Sequence, residues 1–358
     1  MTQSWRTPLW FIEAFYGTPW PMEARLANYR LIGRWGYEGA IYAPKSDRSL
    51  RSEWQRDFTR EENSQLEQMA ATARESGLEF GVGLSPLEIW RDWSRQDRER
   101  LRSKLISLHD RGCRVLSLLF DDMRGDLPQL ASLQGEIVAF VRDHWPGHRV
   151  IVCPTYYSDD PILASIFGDP PPYYLEELSH RIARDVDIFW TGPKVVSDAI
   201  GLDHIREVTS RMGRRPFLWD NYPVNDGART SRYLFLKGVQ GRGPLMSGQL
   251  AGYAANPMVQ PHLSQIPLHA LGRLARDPVN HCADAAFEDS VRACVSDQAA
   301  GAILAHVDVF CEFGLDLLSD REKEPIADAF RKIGGPHASE VVAWLANEYE
   351  FDPDCLTG

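Results

Sequence analysis

The sequence lacks several features that would place it in a common class of proteins. The six cysteines among its 358 residues form no CxxC pair and show no regular spacing. No apolar run approaches the roughly 20 residues that cross a membrane, and residues 1–7 lack the charged and apolar regions of a secretory signal. We therefore expect a soluble, reduced and cytoplasmic protein, in which Cys113 and Cys153 are small buried hydrophobes.

Basic patches are also absent. The net charge is −11, and no basic segment interleaves with aromatic residues, so we expect neither nucleic acid nor an anionic membrane as a partner. The chain has little that marks it as disordered, since 44% of its residues are hydrophobic. Its length allows one large domain and a smaller one. The 11 Trp, 12 Tyr and 15 Phe suit a site that stacks on a sugar, although a large core also uses aromatic residues.

Strand-like runs recur at intervals of roughly 30–40 residues, and segments with helical spacing lie between most of them. Eight such units predict an α/β fold, a closed (β/α)8 TIM barrel, more than an open doubly wound sheet. No GxGxxG follows the first strand, which weakens a nucleotide-binding alternative. The predicted strands cover residues 9–17, 39–45, 78–86, 114–122, 149–157, 186–194, 216–223 and 250–258.

The last part of the chain contains no further strand-like run. Helical spacing at 283–295, 298–313, 321–333 and 338–350 predicts a small helical bundle packed on the barrel. We therefore divide the chain into a catalytic barrel at 1–279 and a helical domain at 280–358.

Two neighbouring carboxylates end the predicted strand at 114–122. Asp121 and Asp122 follow a short apolar run, which predicts a strand buried on both faces. Two adjacent acids repel each other, so one tends to keep its proton while the other ionises. This is how a general acid and a stabilising carboxylate arise from one residue type. The alternative is that Asp122 caps the next helix and Asp121 is merely solvated.

Polar and aromatic residues also follow the other predicted strands, where a barrel of this kind holds its catalytic groups. No histidine is among them, which disfavours a Ser-His-Asp relay or a His-rich zinc site. Acids, amides, indole rings and a lysine suit a sugar pocket. Each also has a plainer interpretation: a solvated charge for Lys45, barrel core for Trp190 and Trp219, and turn formation for Asn221, Asp226 and Asn256.

Seven motifs in order give a specific resemblance. They are EAFYGTPW at 13–20, YAPK at 42–45, LFDD at 119–122, CPT at 153–155, FWTGPK at 189–194, LWDN at 218–221 and ANP at 255–257. Over about residues 9–260 the chain resembles glycoside hydrolase family 84, the O-GlcNAcase and bacterial β-N-acetylglucosaminidase family. The resemblance implies a retaining exo-β-N-acetylglucosaminidase that needs neither cofactor nor metal. The 2-acetamido oxygen of the substrate attacks C1 and forms an oxazoline, without a protein nucleophile.

The resemblance also implies a role for individual residues. Asp121 would accept the acetamido N–H, and Asp122 would act as general acid and then as general base. The remaining matches are with residues that bind the sugar. The backbone at Ala14 would contact a sugar hydroxyl, Lys45 would bind the sugar, and Tyr157 and Trp219 would enclose the acetamido group. Asn221 would lie near the reacting centre, and Asp226 and Asn256 would hold the outer hydroxyls. Two positions depart from the family pattern, because many members have Gly at position 14 and Glu at position 156, where this chain has Ala14 and Tyr156.

The natural substrate stays open at this point. The sugar conjugate could be an O-GlcNAc-modified protein, or an oligosaccharide or cell-wall fragment. Two further alternatives are a GlcNAc-binding module without turnover and a divalent-metal enzyme that uses the Asp pair as ligands. The helical domain could shape the aglycone side or form a homodimer contact.

Overall fold

The computed structural model describes residues 6–351. Eight parallel strands close into one barrel in sequence order, which confirms the predicted (β/α)8 fold. The strands are β1 Leu9–Glu13, β2 Gly39–Tyr42, β3 Glu79–Leu84, β4 Val115–Leu119, β5 Arg149–Cys153, β6 Asp187–Trp190, β7 Phe217–Asp220 and β8 Gly252–Ala255. Each strand ends before the predicted run does, so the polar ends of those runs lie in loops at the C-terminal rim.

Helices follow the strands around the outside of the barrel. Their first turns carry sequence signals: Thr59 and Glu62 form a reciprocal capping box, and Ser94 caps the next helix. The barrel helices are α1 Met22–Arg34, α2 Arg60–Glu75, α3 Arg95–Asp110, α4 Leu130–His144, α5 Ile162–Phe167, α6 Tyr174–Arg181, α7 Leu202–Met212 and α8 Gln265–Arg276. No helix within residues 6–351 is long and apolar enough to cross a bilayer.

Large aromatic side chains fill the barrel interior. Trp10 and Phe217 meet edge to face, with ring centroids 6.0 Å apart. Glycine on the neighbouring strand makes room for each ring, because a Cβ at Gly39 would lie 2.1 Å from Trp10 and one at Gly252 would lie 2.4 Å from Phe217. The interior is therefore a packed core below the rim, and a ligand can enter only at the rim.

Four helices follow the barrel: α9 Ala283–Cys294, α10 Asp297–Ala305, α11 Asp320–Ile333 and α12 Pro336–Leu345. The prediction of one helix over 298–313 is wrong, since α10 ends at Ala305 and a separate π-helical turn covers Val309–Phe313. In that turn the Phe310 carbonyl accepts the backbone N–H of Leu234 at 2.9 Å. A tertiary contact thus overrides the local helical pattern.

The C-terminal helices share one apolar core with two loops of the barrel. Leu234 and Leu236 after β7, and Met258 and Leu263 after β8, pack in the same cluster as residues of the four C-terminal helices. A domain boundary at 279 stays a prediction. Of the six cysteines, Cys355 lies outside the described residues, and the other five are free thiols, with Cys113 and Cys153 buried as expected.

Candidate active site

A cavity opens at the C-terminal rim of the barrel. All nine predicted site residues line it, and they come from six different strands or the loops that follow them. The lining consists of Ala14, Tyr16, Lys45, Asp121, Asp122, Cys153, Tyr157, Thr191, Val195, Val196, Trp219, Asn221, Val224, Asp226 and Asn256.

The Asp121 carboxylate is buried and only half satisfied. Its Oδ2 atom pairs with the Nζ atom of Lys45. Its Oδ1 atom is buried and has no hydrogen-bond partner among the residues that the structure describes. Burial raises the pKa of Asp121, Lys45 acts against that rise, and the charge of Asp122 adds to it. The interpretation of Asp121 as a solvated surface acid is therefore wrong.

Asp122 has hydrogen-bond donors around both carboxylate oxygens. The Tyr16 hydroxyl donates to Oδ1 at 2.9 Å, and the Lys45 Nζ atom donates to Oδ2 at 3.0 Å. Arg51 approaches the same Oδ2 with Nε at 3.2 Å and Nη2 at 3.1 Å. Burial alone would raise the pKa of Asp122, but the two cations and their hydrogen bonds outweigh it and hold that pKa below its usual range.

The structure overturns two plainer interpretations from the sequence. Asp122 caps no helix, because α4 begins at Leu130 without a side-chain cap and the Asp122 oxygens bond elsewhere. Lys45 is not a solvated loop charge, since its side chain is 4% exposed and lies between the two carboxylates. The pKa of Lys45 lies well above its usual value: burial lowers it, and Asp121 and Asp122 more than compensate.

A chain of amide hydrogen bonds fixes the part of the cavity wall that contains Asn221 and Asn256. Asn256 accepts the backbone N–H of Ala14 at 3.1 Å and donates to the Asn221 Oδ1 atom at 3.1 Å. The same Asn221 oxygen accepts the Trp219 indole N–H at 2.9 Å, and the Asn221 amide donates to the Val195 carbonyl at 2.9 Å. These contacts orient both side-chain amides, so neither asparagine serves only to form a turn.

Asp226 lies in the loop after β7 and contacts the loop after β1. Its Oδ2 atom accepts the backbone N–H of Tyr16 at 2.8 Å, and burial raises its pKa. The preceding residue, Asn225, fixes this loop because it hydrogen-bonds to Gln260, Tyr233 and Val259. Asp226 is thus held at the cavity and is more than a turn signal.

The two tryptophans of the predicted rim have different positions. Trp219 packs edge to face on Phe189, with centroids 5.2 Å apart, and forms the cavity floor where the barrel core ends. Trp190 points out of the barrel, is buried against the helices and donates to the His204 Nε2 atom at 3.0 Å. Trp190 is therefore core between the barrel and its helices, outside the barrel interior, while Trp219 belongs both to the barrel interior and to the cavity.

The two departures from the family pattern have different surroundings. Ala14 lies in the cavity wall, so its methyl group adds bulk there. Tyr156 does not line the cavity: its hydroxyl donates to the Gly168 carbonyl, and its ring covers Gly125, where a Cβ would lie 2.1 Å from the hydroxyl oxygen. Tyr156 therefore anchors neighbouring loops and leaves the cavity wall to Tyr157.

Sequence reasoning missed several residues of this site. Tyr16, Cys153 and Thr191 stand inside the seven motifs without an assigned role, whereas Val195, Val196 and Val224 lie just beyond them. Arg51 carries no sequence signal, because it lies in an irregular loop and reaches Asp122 only through the fold. No group of three or more His, Cys, Asp or Glu side chains within residues 6–351 is arranged to hold a metal ion.

Comparison with known proteins agrees with this geometry. The sequence profile of a family described as beta-N-acetylglucosaminidase matches residues 10–308. The chain is similar to the Protein O-GlcNAcase of Rattus norvegicus and that of Mus musculus, each 30% identical over 301 residues, which is 80% of this chain. It spans about a third (32%) of the length of these relatives.

A solved structure extends the likeness to the C-terminal helices. A mutant of the Thermobaculum terrenum O-GlcNAc hydrolase matches with a TM-score of 0.82 and 25% sequence identity, over 96% of this chain and 81% of that one. The family profile alone covers more than half of the chain. The chain therefore belongs to the β-N-acetylglucosaminidase family of glycoside hydrolases.

Proposed function

We propose that this protein removes terminal β-linked N-acetylglucosamine by substrate-assisted catalysis through an oxazoline intermediate. The observation that carries the proposal is the Oδ1 atom of Asp121, a buried acceptor that has no donor within residues 6–351 and belongs to a residue that lines the cavity. A buried carboxylate oxygen without a partner is costly. The N–H of a 2-acetamido group is a donor of the right kind to satisfy it.

In the first step, the acetamido oxygen attacks C1 while the bond from C1 to the leaving oxygen breaks. Asp122 gives its proton to that oxygen, which departs as an alcohol, and Asp122 becomes a carboxylate. Asp121 accepts the acetamido N–H and stabilises the positive charge that builds on the forming ring. In the second step, Asp122 takes a proton from water, whose oxygen adds to C1 and opens the oxazoline.

The contacts within the chain favour the reverse distribution of protons, with a raised pKa at Asp121 and a lowered pKa at Asp122. A bound sugar supplies two changes that oppose this. Its N–H would donate to the ionised form of Asp121, which lowers the pKa of that group, and its bulk would exclude water from Asp122, which raises the pKa there. We therefore infer that substrate binding itself moves the pair toward the protonation that the first step needs.

The rest of the cavity wall binds and orients the sugar in this proposal. Trp219 and Tyr157 enclose the acetamido group, with the indole ring against its methyl. Lys45 and the backbone at Ala14 bind sugar hydroxyls, and Asn221 lies beside the reacting centre. Asp226 and Asn256 hold the outer hydroxyls, which fits an enzyme that accepts only a terminal sugar.

The substrate that we favour is an O-GlcNAc-modified protein. The names of the rodent relatives and of the Thermobaculum terrenum enzyme support it, since all three describe O-GlcNAc hydrolysis. The alternative, an oligosaccharide or cell-wall fragment, has the same sugar and the same reaction. A comparison of kcat/KM on a GlcNAc-modified peptide and on a GlcNAc disaccharide separates the two.

Hydrolysis of 4-nitrophenyl β-N-acetylglucosaminide tests the reaction class. We expect turnover that a chelator does not abolish, tight inhibition by a thiazoline mimic of the oxazoline, and no turnover of the matching 4-nitrophenyl β-glucoside, which lacks the acetamido group. Binding of N-acetylglucosamine without turnover would instead indicate a sugar-binding module. Loss of activity with chelator would favour the divalent-metal alternative.

A further inference from the structure

We infer that Arg51 is a positioning residue that acts through Asp122 and sets the pH range in which Asp122 serves as acid and as base. This inference rests on the proposed function. Two guanidinium nitrogens, Nε and Nη2, approach the Asp122 Oδ2 atom at 3.2 and 3.1 Å. Arg51 is 6% exposed and does not line the cavity. It therefore contacts Asp122 from behind and is not among the residues placed to touch the sugar.

The loop that carries Arg51 is fixed from several sides. Tyr42 donates to the Asp47 Oδ2 atom at 3.0 Å, and Asp47 in turn accepts the backbone N–H of Ser49 at 3.0 Å. Ser85 in the loop after β3 donates its N–H to the Leu50 carbonyl at 2.8 Å. These bonds hold the backbone on both sides of the turn before Arg51.

A buried lysine on α3 completes this support. The Lys104 Nζ atom reaches the Ser49 carbonyl at 3.3 Å and the Arg56 carbonyl, and it lies 3.8 Å from the centre of the Phe58 ring. Lys104 thus ties together the two ends of the segment that contains Arg51. A long, flexible arginine gains a fixed position because its backbone is held in this way.

A bound sugar can compete for the charge of Lys45 but not for that of Arg51. Lys45 lines the cavity and bridges both carboxylates, so a bound hydroxyl competes for its ammonium group. Arg51 lies outside the cavity wall, and within residues 6–351 its only ion pair is with Asp122. Its charge therefore stays on Asp122 in both steps of the reaction.

A permanent cation beside Asp122 has opposite consequences in the two steps. Before the first step it favours loss of the proton that Asp122 must donate, so acid catalysis fails at a lower pH than it otherwise would. After that proton has left, the same cation stabilises the carboxylate that must accept a proton from water. Besides Arg51, the titratable and charged groups that face Asp122 are Tyr16, Lys45, Asp121, Cys153 and Tyr157.

The test is the pH dependence of the neutral variants Arg51→Met and Arg51→Gln, with Arg51→Lys as the conservative variant. With phenyl β-N-acetylglucosaminide, whose leaving group needs acid help, the basic limb of kcat/KM should move up by about 1–3 pH units, the effect of one nearby opposite charge. With the 4-nitrophenyl substrate, the acidic limb of kcat should also move up, because Asp122 must be ionised in the second step. Arg51→Lys should lie closer to the wild type.

Arg48→Gln is the matched control, because Arg48 stands in the same turn with its side chain 72% exposed and pairs with Glu53. The acidic and basic limbs of its pH profiles should match those of the wild type. Thiazoline binding by each variant shows that the site is folded. If the pH limbs of both neutral variants stay where they are in the wild type, the role of Arg51 is overturned. Loss of the fold in both variants would overturn it as well, because the arginine would then support the loop and not Asp122. A wild type without activity on either glycoside would contradict the proposed function instead.

Discussion

Asp121 and Asp122 are neighbours in the chain, yet their side chains meet different chemical groups. Asp121 pairs with one cation and keeps a buried oxygen that has no partner within residues 6–351, whereas Asp122 pairs with two cations and the Tyr16 hydroxyl. In the proposed mechanism this difference assigns orientation of the acetamido group to Asp121 and proton transfer to Asp122. The two roles predict different responses to the leaving group.

Asp122→Asn should lower kcat/KM for phenyl or alkyl β-N-acetylglucosaminides by about 10²–10⁴-fold, the usual range for a lost general acid. The loss on the 4-nitrophenyl substrate should be much smaller, because 4-nitrophenolate leaves without a proton. Asp121→Asn should reduce both rates to a similar degree, since the acetamido group attacks whatever the leaving group is. Steady-state kinetics on this pair of substrates measures the effect.

Asp126→Asn is a suitable control, because Asp126 is exposed and pairs with Arg124 on the surface. Its rates should match the wild type. An Asp122→Asn variant that loses equal activity on both substrates would contradict the role of Asp122 as acid.

Site residues that directly follow a strand could be predicted from the sequence, whereas a residue that reaches the site from the middle of a loop could not. Asp121 and Asp122 follow β4, and the geometry of a barrel brings strand ends together. Arg51 lies in the middle of a long irregular loop, and its place depends on contacts with Ser85 and Lys104. Tertiary contacts of this kind leave no local pattern in a sequence.

Among the secondary-structure elements, α12 packs its polar side on the loop before α8. Glu340 accepts the backbone N–H groups of His262 and Leu263 at 2.9 and 2.7 Å. Burial raises the pKa of Glu340 to about 7, and burial together with His262 lowers the pKa of His337 to about 4. Two groups one helical turn apart therefore give opposite dependences of stability on pH.

The sign of each dependence follows from proton binding. Between about pH 4.5 and 7 the folded chain binds more protons at Glu340 than the unfolded chain, so the free energy of unfolding falls as pH rises. Between about pH 4 and 6.5 the unfolded chain binds more protons at His337, so the free energy of unfolding rises with pH. In the wild type these two effects largely cancel.

Single substitutions should separate the pH dependences that Glu340 and His337 give to the free energy of unfolding. His337→Asn should leave the Glu340 effect, a fall in the free energy of unfolding on the order of 2 kcal/mol between pH 5 and 7, at about 1.4 kcal/mol per pKa unit. Glu340→Gln should leave the His337 effect, a rise of similar size between pH 4 and 6.5. Denaturant titrations at several pH values measure both, and equal pH slopes in the two variants would contradict the account. Gln retains only one acceptor oxygen, so the slope and not the absolute stability is the readout.

Prediction from sequence worked well for elements that have strong local signals and less well where other parts of the chain intervene. Helical spacing predicted helices between the strands, and Gly36, Gly77 and Gly112 lie just after the ends of α1, α2 and α3. The break between α10 and the turn at Val309–Phe313 depends on the pairing of Phe310 with Leu234, which lies in a barrel loop. Helical spacing alone does not show such a partner.

At the scale of the whole molecule, the C-terminal helices and the barrel rim share a core. Trp344 of α12 is fully buried and donates its indole N–H to the Ser231 carbonyl, in the loop after β7, at 3.2 Å. Asp226 stands in the same loop and lines the cavity. The helices are therefore expected to stabilise the loop that holds part of the proposed sugar site.

Trp344→Ala should lower the free energy of unfolding by about 3–5 kcal/mol, the usual cost of removing a buried tryptophan. It should also weaken binding of the thiazoline, because the loop that carries Asp226 loses its support. Denaturant unfolding and inhibitor titration measure the two effects. Phe313→Ala is the control, since Phe313 is 48% exposed and should change stability by about 0.5 kcal/mol or less. Full thiazoline affinity in Trp344→Ala would contradict the coupling.

The central claim is that the 2-acetamido oxygen of the substrate is the nucleophile. The most direct test is kcat/KM of the wild type on 4-nitrophenyl glycosides whose acetamido methyl carries zero, one, two or three fluorine atoms. Fluorine withdraws electrons from the acetamido oxygen and leaves the bond to 4-nitrophenol unchanged. We expect kcat/KM to fall with each added fluorine, because the acetamido oxygen becomes a weaker nucleophile. A kcat/KM that stays constant across the series would contradict it and would point to a nucleophile supplied by the protein or by water.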